Sequence, residues 1–277
     1  MGARIAKILL AVCCAATLLA ADDPKEILRR ALYVNAHNEE VALNYTYLLR
    51  QENRALDGDG KVKHVESSTW DITRVEGSAY RRLVQKNDKP LPPKEEQEQR
   101  VKLEKSIEQR RSETPEQRTE RLAAAERRVK KREQELSEVP DAFDLRILTE
   151  EMVGGEPAWI IEGTPHPGYK PKSKTSTYFL KIKGRIWIAK RDYQPIKIEA
   201  ESTDTISIGA FLVRLSKGVH LGVEFSWVNG EVWLPKRVSI TGSARVLLVK
   251  GFHIDSEMAF SNYKKFVAES RVVPPAN

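Results

Sequence analysis

The chain has 277 residues, enough for one large domain or two small ones with a sizeable core. With 31% charged and 40% hydrophobic residues, it reads neither as a multi-span membrane protein nor as a low-hydrophobicity disordered chain. The formal charge of +7, from 46 Lys+Arg against 39 Asp+Glu, admits a nucleic-acid or anionic-membrane partner and decides nothing about the fold.

Residues 1–21 read as a secretory signal peptide. Arg4 and Lys7 give a basic start, Ile8 to Leu19 an apolar run too short for a membrane span, and Ala20-Ala21 a small-residue exit. A minor alternative takes Leu10-Ala11-Val12-Cys13 as a lipoprotein box, with the chain lipid-anchored through Cys13. Both cysteines, Cys13 and Cys14, fall in this segment, so the mature chain is expected to carry no disulfide, no thiolate nucleophile and no cysteine-based zinc site. The expected compartment is the bacterial periplasm, where a nucleic-acid partner is not expected.

A docking helix follows. Asp23 can cap it, Pro24 suits its first position, Glu26 lies three residues past the cap, and Ile27, Leu28, Ala31 and Leu32 share one face. The Asn-rich stretch Asn35 to Asn38 is expected to end it. Alternation at Leu43, Tyr45, Tyr47 and Leu49 then reads as a strand. The turn Asp57-Gly58-Asp59-Gly60 sends the chain back through Trp70 and Ile72, and again through Tyr80 to Val84, as an antiparallel meander.

The pattern breaks at 93–139. Of the 45 residues from Lys94 to Glu138, 25 are charged, 13 basic and 12 acidic, which suits solvated helices rather than a sheet. Thr114-Pro115-Glu116-Gln117 reads as N-cap, N1, N2 and N3 of a second helix, so an αα-hairpin over 93–112 and 115–138 is expected to interrupt the strands. Its apolar residues (Val101, Leu103 and Ile107 on one arm; Leu122, Ala125, Val129 and Leu136 on the other) form a narrow stripe, so the hairpin is expected to pack on itself and project.

From Phe143 the strands resume through Trp159-Ile160-Ile161, Tyr178 to Ile182, Ile186-Trp187-Ile188, Ile196 to Ala200, Val219 to Trp227 and Phe252 to Phe260. Asn229-Gly230 is a strong hairpin turn. The expected fold is α+β and β-dominated: a strongly curved antiparallel sheet, or incomplete β-barrel, with an N-terminal helix and an inserted αα-hairpin. Segments 22–92 and 140–267 would form the half-barrel domain, 93–139 the insertion, and 268–277 a frayed tail.

Catalytic signatures are missing. The sequence has no GxSxG, HExxH, P-loop or GxGxxG, and its five histidines lack metal-ligand spacing. Asp57 to Gly60 lacks the final bidentate Glu of a calcium loop. Neither an enzyme, a cofactor nor a metal is expected. Two features remain as binding candidates. Aromatic and apolar residues on strand faces, chiefly Tyr45, Tyr47, Trp70, Ile72, Phe225 and Trp227, would line a concave cavity if the barrel stays open, or core if it closes. Between Gly163 and Arg191 stand eight Lys/Arg and no Asp/Glu, with Lys181, Lys183 and Arg185 on one strand face. That face is either a solvated outer surface or a patch for an anionic membrane or acidic partner.

The segment Gly184-Arg185-Ile186-Trp187-Ile188-Ala189-Lys190-Arg191-Asp192-Tyr193-Gln194-Pro195-Ile196-Lys197-Ile198-Glu199 resembles the recurrent hairpin of the LolA/LolB/RseB-like group, the outer-membrane lipoprotein-sorting proteins of the bacterial envelope. The resemblance covers these 16 residues in detail and the rest of the mature chain in outline. It implies a half-barrel with helices closing its mouth and a hydrophobic cavity for a lipid or lipoprotein acyl chain. The implied function is a carrier; the alternative is an RseB-like envelope sensor acting through a protein partner, with the helical hairpin as its contact arm. The hairpin itself departs from the LolA pattern, and no ligand-contacting residue of the family transfers to a position here.

Overall fold

The computed structural model describes residues 22–57, 61–209, 213–246 and 250–266. The 1–21 segment with Cys13 and Cys14, residues 58–60 of the first turn, and the 268–277 tail lie outside the described residues.

One sheet organises the chain, in the order β4-β3-β2-β1-β13-β12-β11-β8-β7-β6-β5. Its strands are β1 (Tyr45–Leu56), β2 (Val62–Val75), β3 (Ser78–Lys86), β4 (Lys89–Pro90), β5 (Phe143–Val153), β6 (Glu156–Pro165), β7 (Ile182–Ala189) and β8 (Pro195–Ser202). They continue with β9 (Ile206–Ile208), β10 (Val213–Leu215), β11 (His220–Val228), β12 (Val232–Val246) and β13 (Lys250–Lys265). Every pairing is antiparallel, β4 and β5 are the two ends of the path, and the curved sheet does not close into a barrel. The first and last long strands, β1 and β13, meet in the interior of the sheet, so both halves of the chain are needed to complete it.

Helix α1 (Pro24–Ala42) crosses one face. Its N-terminal half seats Ile27, Leu28 and Ala31 against Trp159, Ile161 and Ile188 of β6 and β7, and its last turn packs Val41 and Ala42 against Tyr45, Val232 and Leu234. The helix runs through Asn35 to Asn38 instead of fading there, and the reason is local. Asn35 Nδ2 donates to Glu39 Oε1 at 3.1 Å, while Asn38 closes a reciprocal pair with the Trp233 backbone, both bonds 2.8 Å. The two amides therefore find partners without breaking the helix, which is what usually makes Asn a poor interior residue. At the start, Asp23 accepts from the Lys25 N–H at 3.0 Å, and Glu26 pairs with Arg30 rather than closing a capping box.

The insertion forms α2 (Pro93–Arg111) and α3 (Pro115–Leu136), followed by the single turn α4 (Val139–Ala142). Thr114 and Gln117 make the full capping box that the spacing predicts, at 3.2 and 3.0 Å. Neither α2 nor α3 buries a residue. The hairpin does not simply project, however. Lys86 holds Glu95 at its base, Arg121 reaches Ser78 at 2.7 Å near its tip, and Arg132 of α3 pairs with Glu39 of α1. Its attachment to the domain is largely by charge.

A second departure lies at 176–181. The expected strand from Tyr178 is a 3-10 turn, Ser176–Lys181, and β7 begins only at Ile182. Ser173 and Ser176 exchange hydrogen bonds at 2.9 and 3.0 Å, giving the backbone a local alternative to the sheet. Beneath them Glu138, 4% exposed, accepts from Tyr169 and from the Lys172 N–H. Burial alone would raise its pKa, but those bonds and one from Ser176 hold the carboxyl below its usual range.

Candidate functional site

Antiparallel partners directly opposite each other share a face, so the register shows what looks toward α1. Ile186 opposes Ile198, Ile198 opposes Val223, and Phe225 follows Val223 two residues later. This apolar row runs across β7, β8 and β11 beneath the helix. Gly184 opposes Ala200 beside it, and a Cβ there would stand 2.4 Å from the Glu199 carbonyl oxygen, so the close approach of β7 and β8 at this wall requires glycine.

Two cavities open on that face. The first, about 280 Å³, is walled by Leu28 and Leu32 of α1 and by Phe143, Ile161, Ile186 and Ile198 of the sheet. Among its eighteen lining residues only Asn35, Arg185 and Glu199 carry polar side chains. The second, about 400 Å³, lies under the C-terminal half of α1 and takes Tyr45, Tyr47, Ile72, Phe225, Trp233 and Tyr263. Phe225 and Asn35 line both, so they form adjoining parts of one groove. A third opening, about 900 Å³ and more polar, separates the outer side of α1 from the end of α3; Leu32, Asn35 and Leu136 connect it to the first.

Burial raises the pKa of Tyr47, and burial followed by the nearby Tyr47 hydroxyl raises that of Tyr263. Both phenols are therefore neutral in the wall at any physiological pH. Tyr263 donates to the Pro235 carbonyl at 2.5 Å, and its ring lies 5.3 Å from that of Tyr47. Tyr45 is buried, with its hydroxyl fixed between Glu231 at 2.5 Å and Asn229 at 3.0 Å.

Of the six residues read from sequence as cavity candidates, Tyr45, Tyr47, Ile72 and Phe225 come together in the second cavity. Trp70 and Trp227 are not among the residues lining it. Trp70 is capped by the Arg81 guanidinium, 3.6 Å from its ring centroid. Trp227, 39% exposed, stacks on Trp233 at 5.5 Å with Arg191 over it at 4.7 Å, near the Asn229 turn. The walls that the sequence reading left out are Ile186, Ile198, Tyr263 and the helix residues Leu28 and Leu32. All but Tyr263 of β13 belong to the apolar face of α1 or to the Gly184–Glu199 hairpin.

No family model and no curated protein matches the sequence. Solved structures do. The chain is similar to a domain described as outer membrane lipoprotein-sorting from Vibrio parahaemolyticus, at 11% identity and a TM-score of 0.35, over 86% of this chain and 92% of that one. It is similar to a LolA superfamily protein from Nitrosomonas europaea at 12% identity and 0.28, over 88% and 94%. A MucA/MucB complex from Pseudomonas aeruginosa matches at 10% and 0.24, over 89% and 100%. The superpositions are loose, and the architecture stands on the strand order itself.

The Gly184–Glu199 hairpin has a definite structural task. Its turn anchors α1: Gln194 Nε2 donates to the Val34 carbonyl at 3.0 Å, and Arg30 lies over the Tyr193 ring, which stacks on Trp159 at 5.3 Å. Tyr193 adopts φ 59°, a left-handed conformation held by these contacts. Asp192 accepts from the Trp233 indole at 3.0 Å and ties the turn to β12. The hairpin thus positions the roof of the groove.

Of the basic candidates only Arg185 borders the first cavity, and each has a carboxylate partner: Lys181 with Asp204 at 3.1 Å, Lys183 with Glu201 at 3.0 Å, Arg185 with Glu162 at 3.3 Å. Because Lys181 ends the 3-10 turn, only Lys183 and Arg185 keep the strand parity expected of all three. Arg146, ahead of Arg185, holds Glu162 below the usual carboxylate range. Among the described residues no group of three or more His, Cys, Asp or Glu could hold a metal, and no helix is long and apolar enough to cross a membrane.

Proposed function

We propose that the protein is a non-enzymatic binding protein of the bacterial periplasm that carries a lipid, or the acyl chain of a lipoprotein, in the groove beneath α1. The observation that carries this reading is the first cavity's wall of Leu, Ile and Phe side chains, open between a helix and a sheet that does not close. Each CH₂ moved from water into such a wall gains roughly 0.8 kcal/mol, so ten methylenes gain roughly 8 kcal/mol before the cost of ordering the chain. The neutral Tyr47 and Tyr263 phenols continue that wall into the second cavity, whose lining also includes Glu39 and Arg74. On this reading Tyr45, Tyr47, Ile72 and Phe225 belong to the ligand site, and Trp70 and Trp227 support the sheet.

A second reading, an RseB-like regulatory module that acts through an envelope protein partner, is favoured by α3. Leu122 and Val129 stand seven residues apart on it, 45% and 43% exposed. Native mass spectrometry of protein purified from its own envelope, followed by lipid extraction, separates the two. Bound lipid, displaced by a fluorescent fatty acid, is the expected result. The absence of both co-purifying lipid and fatty-acid binding would sink the carrier reading and leave the partner reading.

A further inference from the structure

The opening of about 900 Å³ between α1 and the end of α3 leads through Leu32, Asn35 and Leu136 into the first cavity. The polar end of a lipid whose chain lies in the groove would therefore rest in this opening. Most donors on its wall are already engaged. Arg132 pairs with Glu39, Arg29 lies 3.7 Å from Asp141, Asn35 Nδ2 donates to Glu39 at 3.1 Å, and the Ser137 hydroxyl donates to the Gln134 carbonyl at 2.7 Å.

Two acceptors on the same wall are not engaged. Gln194 is 8% exposed, and its Nε2 donates to the Val34 carbonyl, another part of the wall. Turning the carboxamide over would set two oxygens face to face, so its orientation is fixed. Its Oε1 is buried and accepts from no donor among the described residues, a costly state that a donor on a ligand would relieve. Glu133 is exposed and makes no ion pair among the described residues; Lys130, one turn back, senses its charge but is bound to Glu126 at 2.6 Å. In all, the wall sets Glu39, Glu40 and Glu133 against Arg29 and Arg132, with His37 3.5 Å from Glu40.

We propose that the opening receives an ammonium group at the polar end of the bound lipid, as in an ethanolamine headgroup. An ammonium brings together what the wall lacks, N–H donors and positive charge. The two requirements separate by residue: Gln194 Oε1 takes an N–H, and Glu133 takes the charge. This assignment rests on the groove holding the acyl chain, and it adds which class of lipid the groove selects.

Displacement of a bound fluorescent fatty acid by lysophospholipids of one chain length, kept below micelle formation, tests it. Lysophosphatidylethanolamine should displace at a concentration at least about fivefold lower than lysophosphatidylglycerol, which has hydroxyl donors but no positive charge. It should also act below lysophosphatidylcholine, whose quaternary ammonium has no N–H. Glu133→Gln should remove most of the preference over the glycerol lipid and leave the preference over the choline lipid. Glu120→Gln, farther along α3 and outside the opening, should keep both. Both glutamates are exposed, so the variants should keep the fold, which circular dichroism checks. Equal displacement by the ethanolamine and choline lipids, or a preference over the glycerol lipid that is missing or that Glu133→Gln leaves whole, overturns the ammonium assignment and leaves the groove standing. No fatty-acid binding and no displacement would instead remove the groove reading, and this assignment with it.

Discussion

On the β5–β8 side of the sheet, Ala158, Ile161, Ile188 and Ala189 are completely buried, and Trp159 and Trp187 nearly so. On the β1–β4 side, the helical insertion buries no residue, and Arg50, Arg54, Arg82 and Lys86 pair with Asp88, Glu52, Asp71 and Glu95. The β5–β8 side has ion pairs of its own, such as Arg146–Glu162 and Lys183–Glu201, and adds to them this completely buried apolar layer. Apolar burial stabilises by roughly 25 cal/mol per Å² and is little affected by salt, whereas exposed ion pairs contribute little each and are screened. The difference explains why α1 docks its apolar N-terminal half on β6 and β7 and why α2 and α3 can be charged on nearly every face. The apolar side carries the first cavity, and the insertion contributes Leu136 to its lining.

The largest effect expected from this contrast is at Ile188. Ile188→Ala removes a completely buried side chain beneath α1 and should cost about 2–5 kcal/mol in urea unfolding. A loss well below that range would mean that the β5–β8 side is as loosely packed as the other.

Glu138 comes next, because it joins the end of the insertion to the loop before β7. Glu138→Gln should cost about 1–3 kcal/mol by leaving the Tyr169 and Lys172 donors poorly matched. Its pKa is depressed in the fold, so its contribution is complete above the unfolded value of about 4.3 and is lost as pH falls through the folded value. Acid unfolding curves of the two proteins should converge below that point. Curves that stay parallel would contradict the assignment.

The smallest effects belong to the insertion. Replacing 94–137 with a short Gly/Ser loop, which spares Glu138, should leave the sheet's urea transition cooperative and lower its stability by about 1 kcal/mol or less. Raising salt to 1 M shortens the Debye length to about 3 Å, so amide exchange in α3 should quicken while β6 and β7 remain protected. A sheet that melts out without the hairpin would make the insertion part of the core.

Much of this division could be read from the residues themselves. The capping box at Thr114, the break at Pro93 and the Asn229-Gly230 turn, where both residues take positive φ, are local signals, and local signals survive in a sequence. What could not be read depends on partners far along the chain. Asn38 keeps α1 helical through a backbone 195 residues away. The bulges opposite Trp187/Ile188 and Glu224/Phe225 insert Ile196 into β8 and Lys236 into β12, so strict alternation along those two strands loses the correct face beyond them. Phe225 and Trp227 share parity, yet the first lines the groove and the second stacks near the turn, because position along a strand leaves no mark on its periodicity. The ribbon strands β9 and β10, three residues each, are too short for any pattern.

The central claim is that the groove beneath α1 holds an acyl chain, and Phe225 is the apolar side chain common to its two cavities. The most direct test titrates a fluorescent fatty acid into the unaltered protein and into Phe225→Glu, with circular dichroism confirming the fold of both. The account predicts saturable binding that falls at least about tenfold in the variant, since an unpaired carboxylate in that wall opposes an apolar chain. Equal binding by two folded proteins, or no binding by either, would contradict it.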